Sequence, residues 1–262
     1  MTGLRVYSKY PGAEFVSAPT HPLLRLSEAG IYYAARLRHL PIVNLTKRIY
    51  GYYGLPIRRT HQPILQDWTD VADWLGLKEG SKCVRALSSI FVATADPVGW
   101  MHWRRPSTPN TLLHKLYISP RLESLPELFP LLVEIFDTFD VPAFKIGVSA
   151  RVLARPDKFV AYFANREHLV VVGDELTSTL RGVPAHGVPF TAPIDTSGLL
   201  SWGYDPGIKG ESWRLWIAQM LAMGIVGAPL GSVEETVRHA RQILKSAGVD
   251  PNRWEPLAGA CP

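Results

Sequence analysis

Two short runs of residues near the middle of the chain, 143–148 and 158–163, alternate between large apolar side chains and other kinds. Because successive side chains of a β-strand point to opposite faces, this period of two predicts a pair of half-buried strands. Their apolar face consists of Phe144, Ile146, Val148, Phe159, Ala161 and Phe163. The opposite face presents Lys145, Lys158 and Tyr162. Any fold of this chain must therefore accommodate a sheet with one buried face and one largely polar face.

The polar side chains of these runs are mainly cationic. Arg151 and Arg155, in the connection between the runs, add to the charge of Lys145 and Lys158. Cations beside a phenol suit an anionic ligand, and phosphate is the obvious candidate. Lysines on the outer face of an antiparallel sheet are, however, ordinarily just solvated. The alternation alone leaves a phosphate site and a solvated sheet face both open.

The composition indicates a globular protein and excludes several classes. Of 262 residues, 47% are hydrophobic, which is enough for a sizeable core, and the 28 Lys and Arg exceed the 23 Asp and Glu by 28 − 23 = 5. This mild, dispersed excess fits an acidic ligand better than nucleic acid. No apolar run approaches the ~20 residues that span a bilayer, and the first residues lack the apolar segment of a signal peptide. We therefore expect a soluble, cytoplasmic protein without a nucleic-acid or membrane partner.

Motifs for metal, nucleotide and cofactor binding are missing from the sequence. Cys83 and Cys261 lie far apart, and the histidines show no metal-ligand spacing. There is no Gly-rich loop ending in Lys-Ser or Lys-Thr, no dinucleotide fingerprint, no GxSxG motif and no kinase catalytic loop. We expect neither a metal nor a cofactor.

The predicted fold class is α+β, with a mostly antiparallel sheet flanked by helices and an N-terminal helical lobe. The lobe, residues 1–83, is expected to contain helices from 27 to before Pro41, from 44 to about 53, and over 64–77. Residues 84–262 are expected to form the α+β domain, either separate from the lobe or continuous with it. Its expected strands are 86–95, 100–105, 112–118, 143–148, 158–163 and 199–204, and its expected helices are 125–139, 167–180, 211–224 and 233–248. Two capping boxes, Ser124-x-x-Glu127 and Ser232-x-x-Glu235, predict the starts of two of these helices.

The face that carries Lys145 is predicted to collect further polar side chains from neighbouring strands. His102 and Arg104 alternate with apolar residues in one predicted strand. Lys115 lies in the next predicted strand, where the split is less clean because both faces carry apolar residues. Together these groups would supply phosphate donors, a lysine able to act as a base, and a histidine or tyrosine able to act as an acid. Removing the α-proton of a phosphoserine or phosphothreonine and expelling phosphate needs that set and no cofactor. For His102 by itself, a structural role is the alternative.

The chain resembles the Hop-type type III effector family over roughly 112–224, with a weaker echo in RIYGYYG at 48–54. The most specific shared pieces are Phe144-Lys145, Arg155-x-Asp157 with Tyr162, and Pro189-Phe190-Thr191. The bacterial relatives of this family include the phosphopeptide-lyase components of class V lanthipeptide and thioamitide biosynthesis.

This resemblance implies a carbon–oxygen lyase in the biosynthesis of ribosomally made, modified peptides. A separate kinase, working beside it or bound to it as a heterodimer, would phosphorylate Ser or Thr of a precursor peptide. The present protein would then eliminate the phosphate and leave dehydroalanine or dehydrobutyrine. The resemblance implies that Lys145 is the base or a phosphate ligand, and that Arg155 and Tyr162 hold the phosphate or assist the leaving group.

Two positions depart from the family pattern. Phosphothreonine lyases carry a Lys-x-His pair on the strand where this chain has His102-x-Arg104. After the segment 210–212 the family has an arginine a few places on, whereas this chain has Arg214 early and Ile217 at the expected position. Either Arg214 substitutes or that anion contact is missing. The predicted catalytic residues are Lys145, His102 and Tyr162, and the predicted phosphate-binding residues are Arg104, Lys115, Arg155, Lys158 and Arg214.

These departures leave a different class of function open. The chain could be a non-catalytic subunit that recognises the peptide and scaffolds the kinase in a dehydratase complex. A secreted effector is a further alternative, although the first twenty residues show no obvious secretion segment.

Overall fold

The computed structural model of the protein describes residues 20–56, 65–208 and 211–257. Its helices are α1 (Pro22–Ala35), α2 (Ile42–Tyr50), α3 (Trp68–Trp74), α4 (Lys82–Ile90), α5 (Leu125–Thr138), α6 (Ala150–Leu153), α7 (Arg166–Thr179), α8 (Trp213–Val226) and α9 (Val233–Ser246). Its strands are β1 (Val92–Asp96), β2 (Trp100–Arg104), β3 (His114–Ile118), β4 (Ala143–Gly147), β5 (Phe159–Phe163), β6 (Ala192–Pro193), β7 (Leu200–Tyr204), β8 (Val249–Asp250) and β9 (Glu255–Pro256).

Within these ranges, seven strands form one sheet in the order β1-β2-β4-β5-β3-β7-β6. Every neighbouring pair in it is antiparallel. β8 and β9 pair separately. The predicted α+β class with an antiparallel sheet and flanking helices is thus confirmed. β1 and β2 form a hairpin, in which Asp96 lies opposite Trp100.

The apolar face of the sheet is covered by α5 and α7. Phe144 and Phe159 lie side by side on it, with ring centres 5.7 Å apart, and Phe136 of α5 contacts both rings at 5.1 and 5.9 Å. Phe163 contacts His168 of α7 at 5.2 Å. The four phenylalanines are fully buried, and aromatic side chains of this size dominate core energetics. Their burial fixes the faces of β4 and β5 and turns the side chain of Lys145 to the opposite face, as predicted.

Part of that polar face is covered by α8. Gly203 on β7 allows Trp213 to lie directly against the strand, because a Cβ atom at position 203 would come within 2.5 Å of the indole ring. Trp213 is buried and its indole N–H donates to the carbonyl of Phe190 at 2.9 Å. α2 packs along α8, and α1 packs against α9. The start of α8 and the end of α2 therefore both lie close to the polar face.

The helical part and the sheet contribute to the same hydrophobic core. Ile31 of α1 and Ile49 of α2 belong to one buried cluster with Phe144 of β4 and Ile217 of α8. The boundary predicted after residue 83 falls inside α4. Whether 1–83 and 84–262 fold as separate domains stays a prediction.

The segment 86–95, predicted as one strand, is part helix and part strand. α4 extends to Ile90, the backbone becomes extended at Phe91, and β1 begins at Val92. The Oγ atom of Ser81 caps this helix by accepting a hydrogen bond from the Val84 N–H at 3.2 Å, and Leu87 is buried beneath it. The prediction was wrong because a favourable cap at Ser81 and the burial of Leu87 stabilise a helix here.

The two predicted capping boxes have different outcomes. In α9, Ser232 Oγ accepts from the Glu235 N–H at 3.1 Å, and Glu235 Oε2 accepts from the Ser232 N–H at 2.7 Å, so this box is confirmed. Ser124 makes no capping bond. It ends a 3₁₀-helix, Leu122–Ser124, and already has helical dihedral angles (φ −83°, ψ −15°). The prediction for Ser124 was wrong because an N-cap residue needs an extended backbone.

α1 begins at Pro22, earlier than the predicted start at Ser27. His21 caps it, with Nδ1 accepting from the Leu23 N–H at 3.1 Å, and proline is favourable at the first helical position. Ser27 lies inside α1, where its hydroxyl donates to the Leu23 carbonyl at 3.0 Å. α3 is shorter than predicted, and residue 64, its predicted start, lies outside the described residues.

Candidate active site

The polar face of the sheet brings the predicted catalytic side chains together. His102 lies directly opposite Lys145 in the β2–β4 pairing, and Tyr162 lies opposite Lys115 in the β3–β5 pairing. The Nζ atom of Lys145 lies 5.7 Å from the centre of the Tyr162 ring, and the Nζ atom of Lys115 lies 5.3 Å from the same centre. Opposed residues on one face of an antiparallel pair are close neighbours, with Cβ atoms about 4.5–5.5 Å apart. These predicted residues therefore form one cluster.

Lys145 is the unpaired amine of this cluster. Lys145 is half-buried, and its side-chain amine forms no ion pair or hydrogen bond with any residue in the described ranges. Its Nζ atom lies 4.3 Å from the centre of the Trp100 ring, a cation–π contact. Burial and then the charge of Lys115 lower the pKa of Lys145 to about 8, with a smaller contribution from Arg155 in the same direction. The neutral form of the Lys145 amine is consequently far more populated near neutral pH than that of an ordinary lysine.

Asp157 holds two guanidinium groups. Arg155 donates two parallel hydrogen bonds to its carboxylate, Nε to Oδ1 and Nη2 to Oδ2, each 2.9 Å long. The Nη1 atom of Arg214 lies 2.9 Å from Oδ2. Burial by itself raises the pKa of Asp157, but Arg214 and Arg155 lower it well below its usual range. The carboxylate is therefore ionised throughout the neutral pH range.

Tyr50, the last residue of α2, connects both guanidinium groups to the helical part of the chain. Its hydroxyl accepts from Arg155 Nη2 at 2.6 Å, and its carbonyl accepts from Arg214 Nη2 at 3.0 Å. Its ring lies 4.9 Å from Arg155 Cζ and 5.2 Å from Arg214 Cζ. The side chain of Arg155 is 31% exposed and that of Arg214 only 1%. An external anion can therefore contact Arg155, whereas Arg214 supports Asp157 from inside.

The Trp100 ring lies between the Lys145 amine and the Arg155 guanidinium. It contacts the amine of Lys145 and also lies 5.2 Å from Arg155 Cζ. Trp100 is buried and sits at the start of β2 on the same face as His102. An anion that reaches Arg155 is thus next to the ring that carries the Lys145 amine.

His102 is oriented by Asp96. Its Nε2 atom lies 2.8 Å from Asp96 Oδ2, and the other carboxylate oxygen accepts from the Val98 and Trp100 N–H groups at 2.9 and 3.0 Å. Burial lowers the pKa of His102 below 6.5, opposed by the hydrogen bond to Asp96 and reinforced by the charge of Lys145. With Nε2 bound to the carboxylate, Nδ1 is the ring nitrogen that remains for a ligand.

Lys115 and Tyr162 complete the cluster. The Lys115 amine is nearly buried and lies 2.6 Å from Asp205 Oδ2. Asp205 Oδ1 accepts from the N–H of Trp213, which ties this ion pair to the start of α8. Burial and the charge of Asp205 raise the pKa of Tyr162 well above 10. The phenol therefore keeps its proton and is available as a hydrogen-bond donor.

Two predicted phosphate-binding residues are not brought into this cluster. Arg104 is exposed at the far end of β2, where its guanidinium donates to the carbonyls of Thr108 (3.4 Å) and Pro109. It lies two positions from His102, which is about 7 Å along a strand. The pattern of alternation placed it on the correct face but not near Lys145.

Lys158 is completely buried and binds other parts of the chain. Its Nζ atom donates to the Pro120 carbonyl at 3.0 Å and lies 2.8 Å from His186 Nδ1. His186 in turn binds the Tyr53 carbonyl through Nε2 at 2.7 Å. Burial lowers the pKa of Lys158 to about 7. Lys158 therefore holds the backbone after Asp157 in place and is sealed from an external phosphate.

Several residues of the site were not predicted from the sequence. Trp100 shares the face of His102, so its position in the alternation could have identified it. Tyr50 lies in the segment RIYGYYG, and Asp157 in the motif Arg155-x-Asp157, but neither had an assigned role. Asp96 and Asp205 carry no local signal, because each is recognisable only through its partner across the sheet.

The described residues offer no site for a metal ion. No group of three His, Cys, Asp or Glu side chains among them converges as metal ligands would. No helix in those ranges combines the length and the apolar character that crossing a bilayer requires.

Comparison with known proteins identifies similar structures but no family model. The chain matches no family model and no curated protein. Among solved structures, it is similar to an effector protein from Pseudomonas syringae pv. tomato strain DC3000, with a TM-score of 0.57 and 12% identity, over 90% of this chain and 98% of that one. It is also similar to an effector protein from Pseudomonas syringae pv. syringae strain 61, with a TM-score of 0.55 and 15% identity, over 89% and 98%.

A phosphothreonine lyase is also among the matched structures. It is the type III effector OspF of Shigella flexneri, with a TM-score of 0.36 and 16% identity, over 68% of this chain and 90% of that one. A TM-score this low supports no inference about this chain. At 12% and 15% identity, the two Pseudomonas matches establish the fold alone: the chain has the fold of these bacterial effector proteins.

Proposed function

We propose that the protein is a lyase that eliminates phosphate from phosphoserine or phosphothreonine in a peptide. The observation that carries this proposal is the amine of Lys145, which is half-buried, has a pKa of about 8 and has no carboxylate partner among the described residues. A lysine in this condition is suited to accept a proton near neutral pH. The motifs shared with Hop-type effectors, Phe144-Lys145 and Arg155-x-Asp157 with Tyr162, give independent support.

The groups around Lys145 match the charges of this reaction. Arg155 is held in place by Asp157 and is exposed enough to bind a phosphate oxygen. The Tyr162 phenol can donate a hydrogen bond to the same group, and Lys115 adds a fixed positive charge beside it. Charges that are fixed before the substrate binds are effective in stabilising developing negative charge.

The proposed reaction is one elimination without a covalent intermediate. The neutral amine of Lys145 removes the α-proton, the electrons of that C–H bond form the Cα–Cβ double bond, and the Cβ–O bond breaks with its electron pair on phosphate. His102, which Asp96 holds through Nε2, donates a proton to the departing phosphate. The bound phosphate dianion raises the pKa of His102, and Asp96 stabilises the imidazolium form. The products are a dehydroamino acid and hydrogen phosphate.

The test is to incubate the purified protein with a phosphothreonine peptide and to determine the mass of the product by mass spectrometry. We expect release of inorganic phosphate and a product mass one water below that of the peptide that was never phosphorylated. The unphosphorylated peptide serves as the control and should remain unchanged. Recovery of the intact phosphopeptide, with or without a kinase present, would count against a lyase.

We further propose that the substrate is a precursor peptide phosphorylated by a separate kinase, in the biosynthesis of a ribosomally made, modified peptide. The support for this finer proposal is the sequence resemblance to lanthipeptide and thioamitide enzymes. It is tested by combining the protein with the kinase and a precursor peptide and measuring dehydration of the unmodified peptide. If the protein eliminated phosphate from phosphopeptides in general but the combined reaction gave no dehydration, the proposed lyase activity would stand and the proposed precursor-peptide substrate would be rejected.

A non-catalytic subunit that recognises phosphopeptide is the second candidate. The observation that favours it is the pairing of the cations: Arg155 and Arg214 already bind Asp157, and Lys115 binds Asp205. Ile217, at the position where the family has an arginine, is buried in the core and offers no anion contact. Binding of phosphopeptide without any phosphate release would favour this candidate.

The proposed roles predict the pH dependence of kcat/KM. Lys145 must be neutral, and its neutral fraction rises about tenfold per pH unit up to its pKa of about 8. His102 must be protonated, and its pKa lies below 6.5, so its protonated fraction falls above that pH. We expect the two effects to cancel between about pH 6.5 and 8 and the rate to fall above pH 8.

The variant His102→Asn separates the two contributions. Without the acid, kcat/KM should be lower and should rise with pH up to about 8 before becoming level, because only Lys145 then titrates. Steady-state kinetics from pH 6.5 to 9.5 measures both profiles, which avoids the ionisation of phosphate itself near pH 6. A wild-type profile that already rises to pH 8 and stays level would exclude His102 as the proton donor.

A further inference from the structure

A cleft lies beside the candidate active site and shares none of its catalytic side chains. Its volume is about 460 Å³, and it lies between α1 and the segment that ends α2. The residues that line it are Tyr33, Lys47, Arg48, Gly51, Tyr52, Tyr53, Gly54 and Leu55. Aromatic and basic side chains supply the walls of this cleft, which distinguishes it from a cleft lined by the apolar core.

The aromatic wall is a row of three neighbouring tyrosines, of which the first two are stacked and the third is tilted. The rings of Tyr33 and Tyr52 stack with centres 5.3 Å apart, and Tyr53 continues the row at 6.1 Å from Tyr52. Tyr53 has a φ of 65°, a left-handed conformation that non-glycine residues rarely adopt. His186 holds it there by binding its carbonyl, and the two rings also contact each other. The contacts with His186 therefore hold Tyr53 in place, while the rings of Tyr33 and Tyr53 remain exposed to solvent.

The basic side of the cleft carries two exposed charges. Lys47 and Arg48 occupy the last turn of α2, where cations also complement the helix dipole. Neither side chain forms an ion pair or a hydrogen bond with a described residue. In the candidate active site, by contrast, Arg155, Arg214 and Lys115 each bind a carboxylate of the chain itself. The cleft thus offers positive charge that no described carboxylate neutralises.

The cleft is close enough to the active site to bind the same peptide. Tyr50, at the end of α2, accepts a hydrogen bond from Arg155, and the N–H of Leu55 donates to the Ala154 carbonyl at 2.8 Å. The chain between Tyr50 and Tyr53 spans at most about 11 Å. An extended peptide covers this distance in roughly three to four residues.

We propose that this cleft binds an acidic segment of the substrate peptide, a few residues from the phosphorylated Ser or Thr. Asp or Glu side chains of the segment would pair with Lys47 and Arg48, and its backbone would lie across the tyrosine row. The assignment of the peptide as a substrate rests on the proposed function. The binding itself does not, because it can be measured without elimination.

The experiment uses fluorescent, unphosphorylated peptides that contain either three glutamates or three alanines. We expect the wild-type protein to bind the acidic peptide more tightly, in a manner that added salt weakens. The variant Lys47→Glu/Arg48→Glu should lose at least about tenfold in affinity for the acidic peptide, because like charges then face each other. The matched control Arg181→Glu/Lys245→Glu makes the same change in net charge at exposed positions outside the cleft and should bind as the wild type does.

Kinetics on phosphopeptides with the same flanks distinguish the two proposals. For the acidic-flank substrate, the cleft variant should have a higher KM than the wild type and the same kcat. For the alanine-flank substrate, KM and kcat of the variant and the wild type should be equal. Equal binding of both peptides by the wild type, or an equal loss in the control variant, would overturn the cleft proposal even if elimination is efficient. If the protein bound the acidic peptide selectively but eliminated no phosphate, the proposed role of the cleft would stand and the proposed lyase function would be rejected.

Discussion

Replacing Lys145 with alanine is expected to lower kcat for phosphate elimination by about 10²–10⁴-fold, the range that a positioned general base contributes. KM should change little, because Arg155 and its support by Asp157 remain. The melting temperature should stay the same or rise, since the variant removes an amine whose charged form is disfavoured by burial. Phosphate release and product mass measure the first effect, and thermal unfolding measures the second.

The variant Lys145→Arg separates base catalysis from simple charge. An arginine keeps the positive charge above Trp100 but cannot deprotonate near neutral pH, so it should be nearly as inactive as the alanine variant. Lys245→Ala, an exposed lysine on α9, is the matched control and should retain full activity. If the arginine variant turned over at the wild-type rate, Lys145 would be an electrostatic ligand and the base would lie elsewhere.

Replacing Asp157 with asparagine is expected to cause the largest loss of stability in the site. The guanidinium of Arg214 is 1% exposed and would be left without a negative partner. Removing one partner of a buried ion pair costs about 3–5 kcal/mol, which corresponds to a fall in Tm of roughly 10 °C for a protein of this size. At pH 7 the whole contribution is present, because the pKa of Asp157 is lowered in the folded state and its effect is lost only in acid.

Two further variants show whether this loss comes from the orphaned charge. Asp137→Asn removes the partner of Arg105 in an ion pair whose carboxylate side is 51% exposed, so it should cost less than about 1 kcal/mol. Combining Asp157→Asn with Arg214→Met should recover part of the stability, because the uncompensated cation is gone. A melting temperature of Asp157→Asn equal to that of the wild type would contradict the role of Asp157 described here.

The sequence predicts the faces of the sheet well, because the period of two is a local property of the chain. Phe144 and Phe159 lie on the buried face, and Lys145 and Tyr162 lie opposite, as the alternation required. Position along a strand is a different matter. Arg104 has the right parity, but nothing in the pattern of β2 reveals which of its residues are paired with Lys145.

The role of Tyr50 and the burial of Lys158 could not be predicted, because both depend on partners far away in the sequence. Tyr50 meets Arg155 across 105 positions of the sequence, and Lys158 is sealed by His186, 28 positions away. The sequence pattern around a lysine at the start of a strand is the same whether the side chain is exposed or buried. Tertiary packing alone determines which of the two occurs. α4 shows the opposite case, where a purely local cap at Ser81 outweighs an apolar run that suggested a strand.

The dependence of both guanidinium groups on Tyr50 limits how far the chain can be shortened. A fragment that begins after the first eighty residues would lack the hydroxyl and the carbonyl to which Arg155 and Arg214 donate. It would also expose the side of α8 that α2 covers. Removing or exchanging the helical portion would therefore disturb the positions of both guanidinium groups in the proposed anion site, so engineered variants have to retain α2 together with the sheet.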